Sequence, residues 1–357
     1  MSRPPPLLLT VDVAIINTGA RLTGIKAHDF FGPPNPNHKW LAAPILSFLI
    51  RHSSPNPPER TLLFDLGLRK DWRNLSPEIV STLQAEGWTL HAPTDVHSIL
   101  RDSTSGLPPI EAIIWSHAHF DHTGDPSLFP PSTKLIVGPG SREHLFPGYP
   151  SNPCSTILES DYHGREVEEL DFDPSSRGSK TLRIGQFEAI DYFGDGSFYL
   201  LNAPGHAVGH ICGLARVGCS REGKTGWRSR FILMAGDAVH HVGELRPSLR
   251  VPLATEGEQS VRTRPFYTPV AAAGRRWHAD AEEGERTLRR MQEADGRDEI
   301  LIVAAHDETV LGVVDVFPEF VGDFVAEGWV DKVKWRFLRD CLGPELTEKS
   351  QGTSTRT

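Results

Sequence analysis

The sequence predicts an α+β protein, and three observations carry that reading. Short apolar, β-rich runs recur along its 357 residues, only a few stretches show helical spacing, and several of the β-rich runs stop abruptly at histidine or aspartate.

Taken in order, residues 2–6 are Pro-rich and read as an extended arm, and Val11 to Asn17 is a first strand closed by Thr18-Gly19. From His28 to Trp40 the prolines forbid a regular helix or a central strand. The segment therefore reads as an ordered loop whose aromatic residues either cap a pocket for a small apolar ligand or pack the loop on the core. Ile45 to Ile50 and Thr61 to Asp65, separated by the Pro-rich turn from Ser53 to Pro58, form a hairpin. Asp65 at its end either orients a metal-bound histidine or caps a turn. Leu75 to Glu86 has helical spacing with Ser76-Pro77 at its start, and Ile99 and then Ile110 to Trp115 bring the chain back to the sheet. Thr133 to Val137 is a further strand, and residues 147–180, with His163, read as irregular surface.

Leu182 to Phe193 and Phe198 to Asn202, joined by Gly194-Asp195-Gly196, read as a hairpin. A surface loop is expected from Ser220 to Ser229, a strand from Phe231 to Ala235, and an insertion lining the pocket from Arg246 to Arg275. Ala281 to Ala294 is a charged helix and Glu299 to Ala304 a buried strand; Val310 to Phe324 and Val330 to Cys341 are partly helical. The expected organisation is a single domain over 1–342 with a polar, disordered tail over 343–357.

Composition narrows the function. With 46 acidic against 37 basic residues the net charge is -9, which argues against a nucleic-acid partner. No apolar run approaches the roughly 20 residues of a membrane span, and no secretory leader is visible, so a cytoplasmic protein is expected. Cysteines 154, 212, 219 and 341 are too few and too scattered for a disulfide framework and read as reduced thiols. The expected partner is a small-molecule substrate, without nucleic acid or membrane; the sequence gives no oligomeric state.

The chemistry concentrates in Ile113 to Asp125, where an apolar strand runs into His117, His119, Asp121 and His122. Three imidazoles and a carboxylate within six positions suit a borderline divalent metal, and a dinuclear site is the natural reading. Later strand ends supply more donors: Pro204-Gly205-His206, Gly236-Asp237-Ala238 with His240 following, and Ala305-His306-Asp307. His206 is preferred to His210 as the third ligand of one metal, because it follows directly on a strand and a Pro-Gly turn.

The order H-A-H-F-D-H, P-G-H, G-D-A, A-H-D resembles the metallo-β-lactamase superfamily over roughly residues 10–320. The resemblance implies an αββα sandwich, two mixed β-sheets flanked by helices, with the site at one edge. It also implies two Zn2+ ions, although the donor set does not choose zinc over iron or manganese. His117, His119 and His206 would hold the first metal, and Asp121, His122 and His306 the second, with Asp237 bridging. A hydroxide shared between the metals would attack a carbonyl, and Asp121 would pass the proton to the leaving atom. Within the superfamily the first motif resembles N-acyl homoserine lactonases and their fungal relatives. Where those lactonases carry a substrate-contacting tyrosine, this chain has His240. The implied activity is opening of a lactone or lactam, with the cyclic carbamate of a benzoxazolinone as one form. The alternatives are a thioesterase of the glyoxalase II or polyketide-release kind and, in another class, a mononuclear iron persulfide dioxygenase.

Overall fold

The computed structural model describes residues 9–343 apart from 54–58, 104–105, 107, 177–179, 223–225, 255–260 and 271–277. The arm at 2–6, most of the turn at 53–58, Arg275 and Arg276, and the tail beyond Gly343 lie outside the described residues.

Two β-sheets face each other. The first contains β1 (Val11–Lys26), β2 (Trp40–His52), β3 (Arg60–Phe64), β4 (Thr89–His91), β5 (Ile110–Ile114), β6 (Lys134–Val137) and β7 (Val167–Glu169), in the order β4-β1-β2-β3-β5-β6-β7. β1, β2, β3 and β4 pair antiparallel, whereas β3, β5, β6 and β7 pair parallel. The second contains β8 (Thr181–Ile184), β9 (Phe187–Asp191), β10 (Phe198–Asn202), β11 (Ile211–Glu222), β12 (Gly226–Met234) and β13 (Ile300–Val303), in the order β13-β12-β11-β10-β9-β8. Only β12 and β13 run parallel in it. Both sheets are mixed, as expected.

The period-two alternation of the strands sets the layers. Val13, Ile15, Phe48, Phe64 and Ile114 of the first sheet meet Phe198, Leu200, Ile232, Met234 and Val303 of the second in one core. The residues between them point outward. Ala14, Ile16, Leu63 and Ile113 pack on Val96 and Leu100 of helix α2 (Val96–Asp102). On the other side Leu201, Leu233 and Ile302 pack on Leu288 and Met291 of helix α4 (Ala281–Asp295). The result is the αββα sandwich.

Helix α1 (Pro77–Glu86) starts where Ser76 caps the Ile79 amide ahead of Pro77, and it stops at Gly87 in the left-handed region. Helix α3 (Phe120–Thr123) is a single turn directly after the histidine motif.

Several expectations needed correction. Ile99 lies in α2, capped by Asp95; a seven-residue stretch with three apolar side chains is too short to separate helix from strand by spacing. Leu182 to Phe193 is two strands, since Gly185, at φ 57°, turns the chain midway. Ser220 to Ser229 is no simple surface loop, because β11 and β12 extend their ladder through Glu222 and Gly226. The irregular stretch 147–180 contains the edge strand β7. Val310 to Phe324 holds only the end of a short 3-10 turn, and residues 317 and 321 instead donate backbone hydrogen bonds to Ile15 and Val13 of β1. The four cysteines are free thiols, and among the described residues no helix is long and apolar enough to cross a membrane.

Candidate metal centre

Strand ends from both sheets converge on one edge. From the first sheet, β3 delivers Asp65, and β5 delivers His117 and His119 followed by Asp121 and His122 on α3. From the second, β10 leads to His206, β12 to Asp237 and β13 to His306. β3 and β5 are parallel neighbours, as are β12 and β13, and β10 lies two antiparallel steps from β12 and so runs the same way. Carboxyl ends therefore gather at one rim of each sheet.

The donors form two groups. In the first, His206 Nε2 lies 3.1 Å from His117 Nε2 and 3.0 Å from His119 Nδ1. In the second, His306 Nε2 lies 3.4 Å from Asp121 Oδ2, and His122 Nε2 lies 3.9 Å from the same oxygen. Asp237 spans both. Its Oδ2 is 3.6 Å from His206 Nε2, while its Oδ1 is 3.2 Å from His122 Nε2 and 3.3 Å from His306 Nε2.

These side chains fit divalent metals. Burial lowers the pKa values of His117, His119 and His206, so three neutral imidazoles face one point with their lone pairs. Ligands about 2.0–2.1 Å from a tetrahedral zinc stand about 3.3 Å apart, close to the spacing seen. Among the described residues, His122 Nε2 and Asp237 Oδ1 are buried without a hydrogen-bond partner in spite of their proximity. Burial opposes charge on His122 and His306, but the carboxylates, Asp237 foremost, outweigh it. They hold His122 well above the usual histidine range and His306 at about 10. A cation in the second group would displace those protons.

The far side of each imidazole is fixed. His122 Nδ1 donates to Asp65 Oδ2 at 2.9 Å, and His117 Nδ1 donates to Ser116 Oγ at 3.0 Å, which in turn donates to Asp65 Oδ2 at 2.8 Å. His306 Nδ1 donates to the Pro44 carbonyl at 2.8 Å. Asp65 thus orients histidines and does not cap a turn. His210 is a support: its Nδ1 bonds the Ala203 carbonyl and its Nε2 accepts the Asp237 amide. Gly236 has φ +53°, and a Cβ there would meet His210 Nε2 at 2.8 Å, so the turn that presents Asp237 needs glycine. Gly205 serves packing on α4: its Cβ would meet the Gly284 amide at 2.2 Å.

All seven residues expected as ligands come together, and His240 joins them, its Nε2 3.6 Å from Asp237 Oδ2. His278, not anticipated, forms a third histidine group with His206 and His240. It stands alone in the sequence, with no motif to signal it. The centre opens into a cavity of about 400 Å³ lined by Leu22, Ile25, Phe30, Leu83, Trp88 and Phe120 among others. Phe30 and Trp40 of the 28–40 loop border it, as that loop's aromatic content suggested. The 246–275 segment does not: none of its described residues lines the cavity, and Tyr267 packs behind the wall against Phe31 and His38.

A family model described as the metallo-beta-lactamase superfamily matches residues 42–218. Gamma-lactamase FDB1 of Fusarium pseudograminearum is 40% identical over 364 residues, covering 94% of this chain and 85% of that protein. Metallo-hydrolase mfmC of Annulohypoxylon moriforme is 39% identical over 368 residues, covering 95% and 91%. Among solved structures, an N-acyl homoserine lactone hydrolase with N-hexanoyl-L-homoserine at its catalytic metal centre superposes with a TM-score of 0.56 at 17% identity, over 88% of this chain and 100% of that one. At that identity the likeness is one of fold.

Asp237→Ala and His306→Ala should each lose metal, read by elemental analysis, together with turnover, and Asp65→Asn should weaken metal affinity about 10- to 100-fold. Full metal content and full activity in both alanine variants would remove the two-group arrangement. Glu244, whose carboxylate accepts the His240 and His241 amides, gives a pH test. Burial pushes its pKa up to about 8 from 4.5, so the fold holds a proton that the unfolded chain releases in between. Its contribution to stability therefore declines as pH rises through that window. Glu244→Gln should flatten this decline in denaturant titrations; an unchanged slope would contradict it.

Proposed function

The chain belongs to the metallo-β-lactamase superfamily and is a hydrolase, and we propose that it opens a small, neutral cyclic ester or amide, a lactone or lactam, at a centre holding two zinc ions. The likeness to a relative named as a γ-lactamase supports the reaction class. One observation favours a neutral substrate. Glu78, Asp121, Asp237, Glu308 and Asp340 line the cavity, and among the described residues no lysine or arginine does. Glutathione and phosphopantetheine thioesters, and glutathione persulfide, carry anionic groups that find no lysine or arginine on this wall to pair with. The thioesterase and persulfide dioxygenase readings are disfavoured on that ground. A cavity of about 400 Å³ with Phe30, Trp88 and aliphatic side chains on its wall suits a small ring system, including a benzoxazolinone-type carbamate.

Zinc held by the two groups would supply a Lewis acid for the carbonyl oxygen and a water whose pKa is lowered to near 7. The chain's own residues do the rest. Asp237, with one oxygen toward each group, sets their separation. Asp65 and the Pro44 carbonyl hold lone pairs of His117, His122 and His306 toward the centre. Asp121 lines the cavity beside His306 and carries the proton to the departing ring nitrogen or oxygen, without which an amide anion would have to leave. His240 borders the same space, kept neutral by burial, and donates to the substrate in the role the lactonases give to tyrosine.

Protein purified without chelator should carry about two zinc ions per chain and open a benzoxazolinone, a simple γ-lactone or an acyl homoserine lactone in preference to a thioester. One iron per chain with no ring opening would overturn the proposal. His240→Phe should lower kcat/KM about 100-fold or more, with partial recovery in His240→Tyr; wild-type rates in His240→Phe would end the donor role.

A further inference from the structure

One stretch of the cavity wall takes no part in the centre. His38, His241 and Asp340 line it, drawn from the 28–40 loop, the turn after Asp237 and the C-terminal helix Leu338–Leu342. Counting hydrogen bonds assigns their protons. The Tyr267 hydroxyl oxygen accepts from Asn35 Nδ2 at 3.1 Å and from Cys341 Sγ at 3.6 Å, so its own proton goes to His38 Nδ1 at 3.0 Å. His38 then carries its proton on Nε2, for which no partner exists among the described residues. His241 Nδ1 accepts the Gly243 amide at 3.0 Å, so its proton also lies on Nε2, donated to Asp340 Oδ2 at 3.2 Å.

That leaves a donor on His38 and hydrogen-bond acceptor capacity on Asp340, both on the same cavity wall. The His38 and His241 ring centroids are 4.6 Å apart, and Asp340 Oδ1 is ion-paired with Arg339 Nε at 3.5 Å but accepts no hydrogen bond among the described residues. Glu308, on the same wall, is by contrast engaged by Arg21 and Arg339 at 3.2 Å each. Burial lowers His38 to about 4, so it is a neutral donor at pH 7. Burial raises the Asp340 carboxyl, but its hydrogen bond with His241 and the nearby charge of Arg339 together outweigh this and keep it an anionic acceptor. A group that satisfies both must offer a lone pair and a proton and carry no negative charge. An ether lacks the proton and a carboxylate is repelled; a hydroxyl meets all three conditions.

We propose that His38 and Asp340 form a subsite for a hydroxyl on the substrate's ring system, so that the enzyme selects hydroxylated aromatic-fused lactones or lactams over the same rings without the hydroxyl. The proposal rests on the ring-opening reading above. A pocket built to hydrogen-bond a hydroxyl rejects the analogue that lacks it, because its own polar groups are then left unpaired.

The test compares benzofuran-2-one with its ring-hydroxylated isomers, using zinc-loaded wild type, Asp340→Asn and His38→Phe. Wild type should prefer at least one hydroxylated isomer by about 100-fold or more in kcat/KM, and each variant should reduce that ratio about tenfold or more. A variant that merely loosens the fold slows both rings alike and leaves the ratio, so an unchanged ratio in both variants overturns the subsite. So does a wild type without preference for any isomer. If neither ring is opened, the ring-opening reading fails, and calorimetric binding of the same compounds decides the subsite separately: tighter binding of a hydroxylated isomer that disappears in Asp340→Asn supports it, and equal binding overturns it.

Discussion

The centre depends on a carboxylate that stands behind it. Asp65 is 1% exposed and accepts from the Ser116 amide at 2.6 Å, the Ser116 hydroxyl and His122 Nδ1. Through the hydroxyl it also governs His117. A carboxylate buried this deeply is costly unless fully hydrogen-bonded, and here its partners are members of the two donor groups or lie next to them. The backbone bends to reach this arrangement: Asp65 has φ 59°, a conformation that aspartate tolerates better than most residues. The turn out of β3, the exit of β5 and the tautomers of two histidines are one hydrogen-bonded unit.

Most of the sandwich was readable because its strands are short, apolar and sharply ended, and because the donors sit at those ends. His117, His119 and His206 could be picked out by position alone, one or a few residues past an apolar run. Where the pattern failed, the physical reason is local. Seven residues around Ile99 cannot display a helical period, and a glycine turn at 185 split what looked like one strand. The β11–β12 ladder continues outward through polar residues because hydrogen-bonded pairing needs no apolar side chains once a strand leaves the core. Asp65 was left between two roles, since a strand-end aspartate does both jobs with the same spacing. His38 and Asp340 were not legible as a set: they come from opposite ends of the chain, and only the folded backbone makes them neighbours on the cavity wall; His278 meets His206 and His240 in the same way.

The 28–40 loop ties pocket to scaffold. Phe30 faces the cavity and Phe31 turns away, its ring 4.4 Å from Tyr267 and 5.6 Å from His241. The Phe30 carbonyl accepts from His278 Nε2 and from the Val270 amide. The irregular region around Tyr267 therefore shapes the pocket from behind, by fixing the loop that forms its wall. Changes in that region should be expected to alter what the pocket accepts without touching the ligand, because side chains in a packed layer move together.

Each donor group takes side chains from both sheets: His117 and His119 with His206 in one, Asp121 and His122 with His306 in the other, and Asp237 in common. An ion in either group is therefore a cross-link between halves of the chain that are far apart in sequence. Closing so long a loop costs entropy, so the full set of donors is assembled only once the two sheets have docked, and affinity for the ion is highest in the docked state. Ion binding then draws the population toward the closed sandwich in proportion to free metal. Metal supply in the cell would act as a control on how much of this chain survives folded, as well as on how much of it is active.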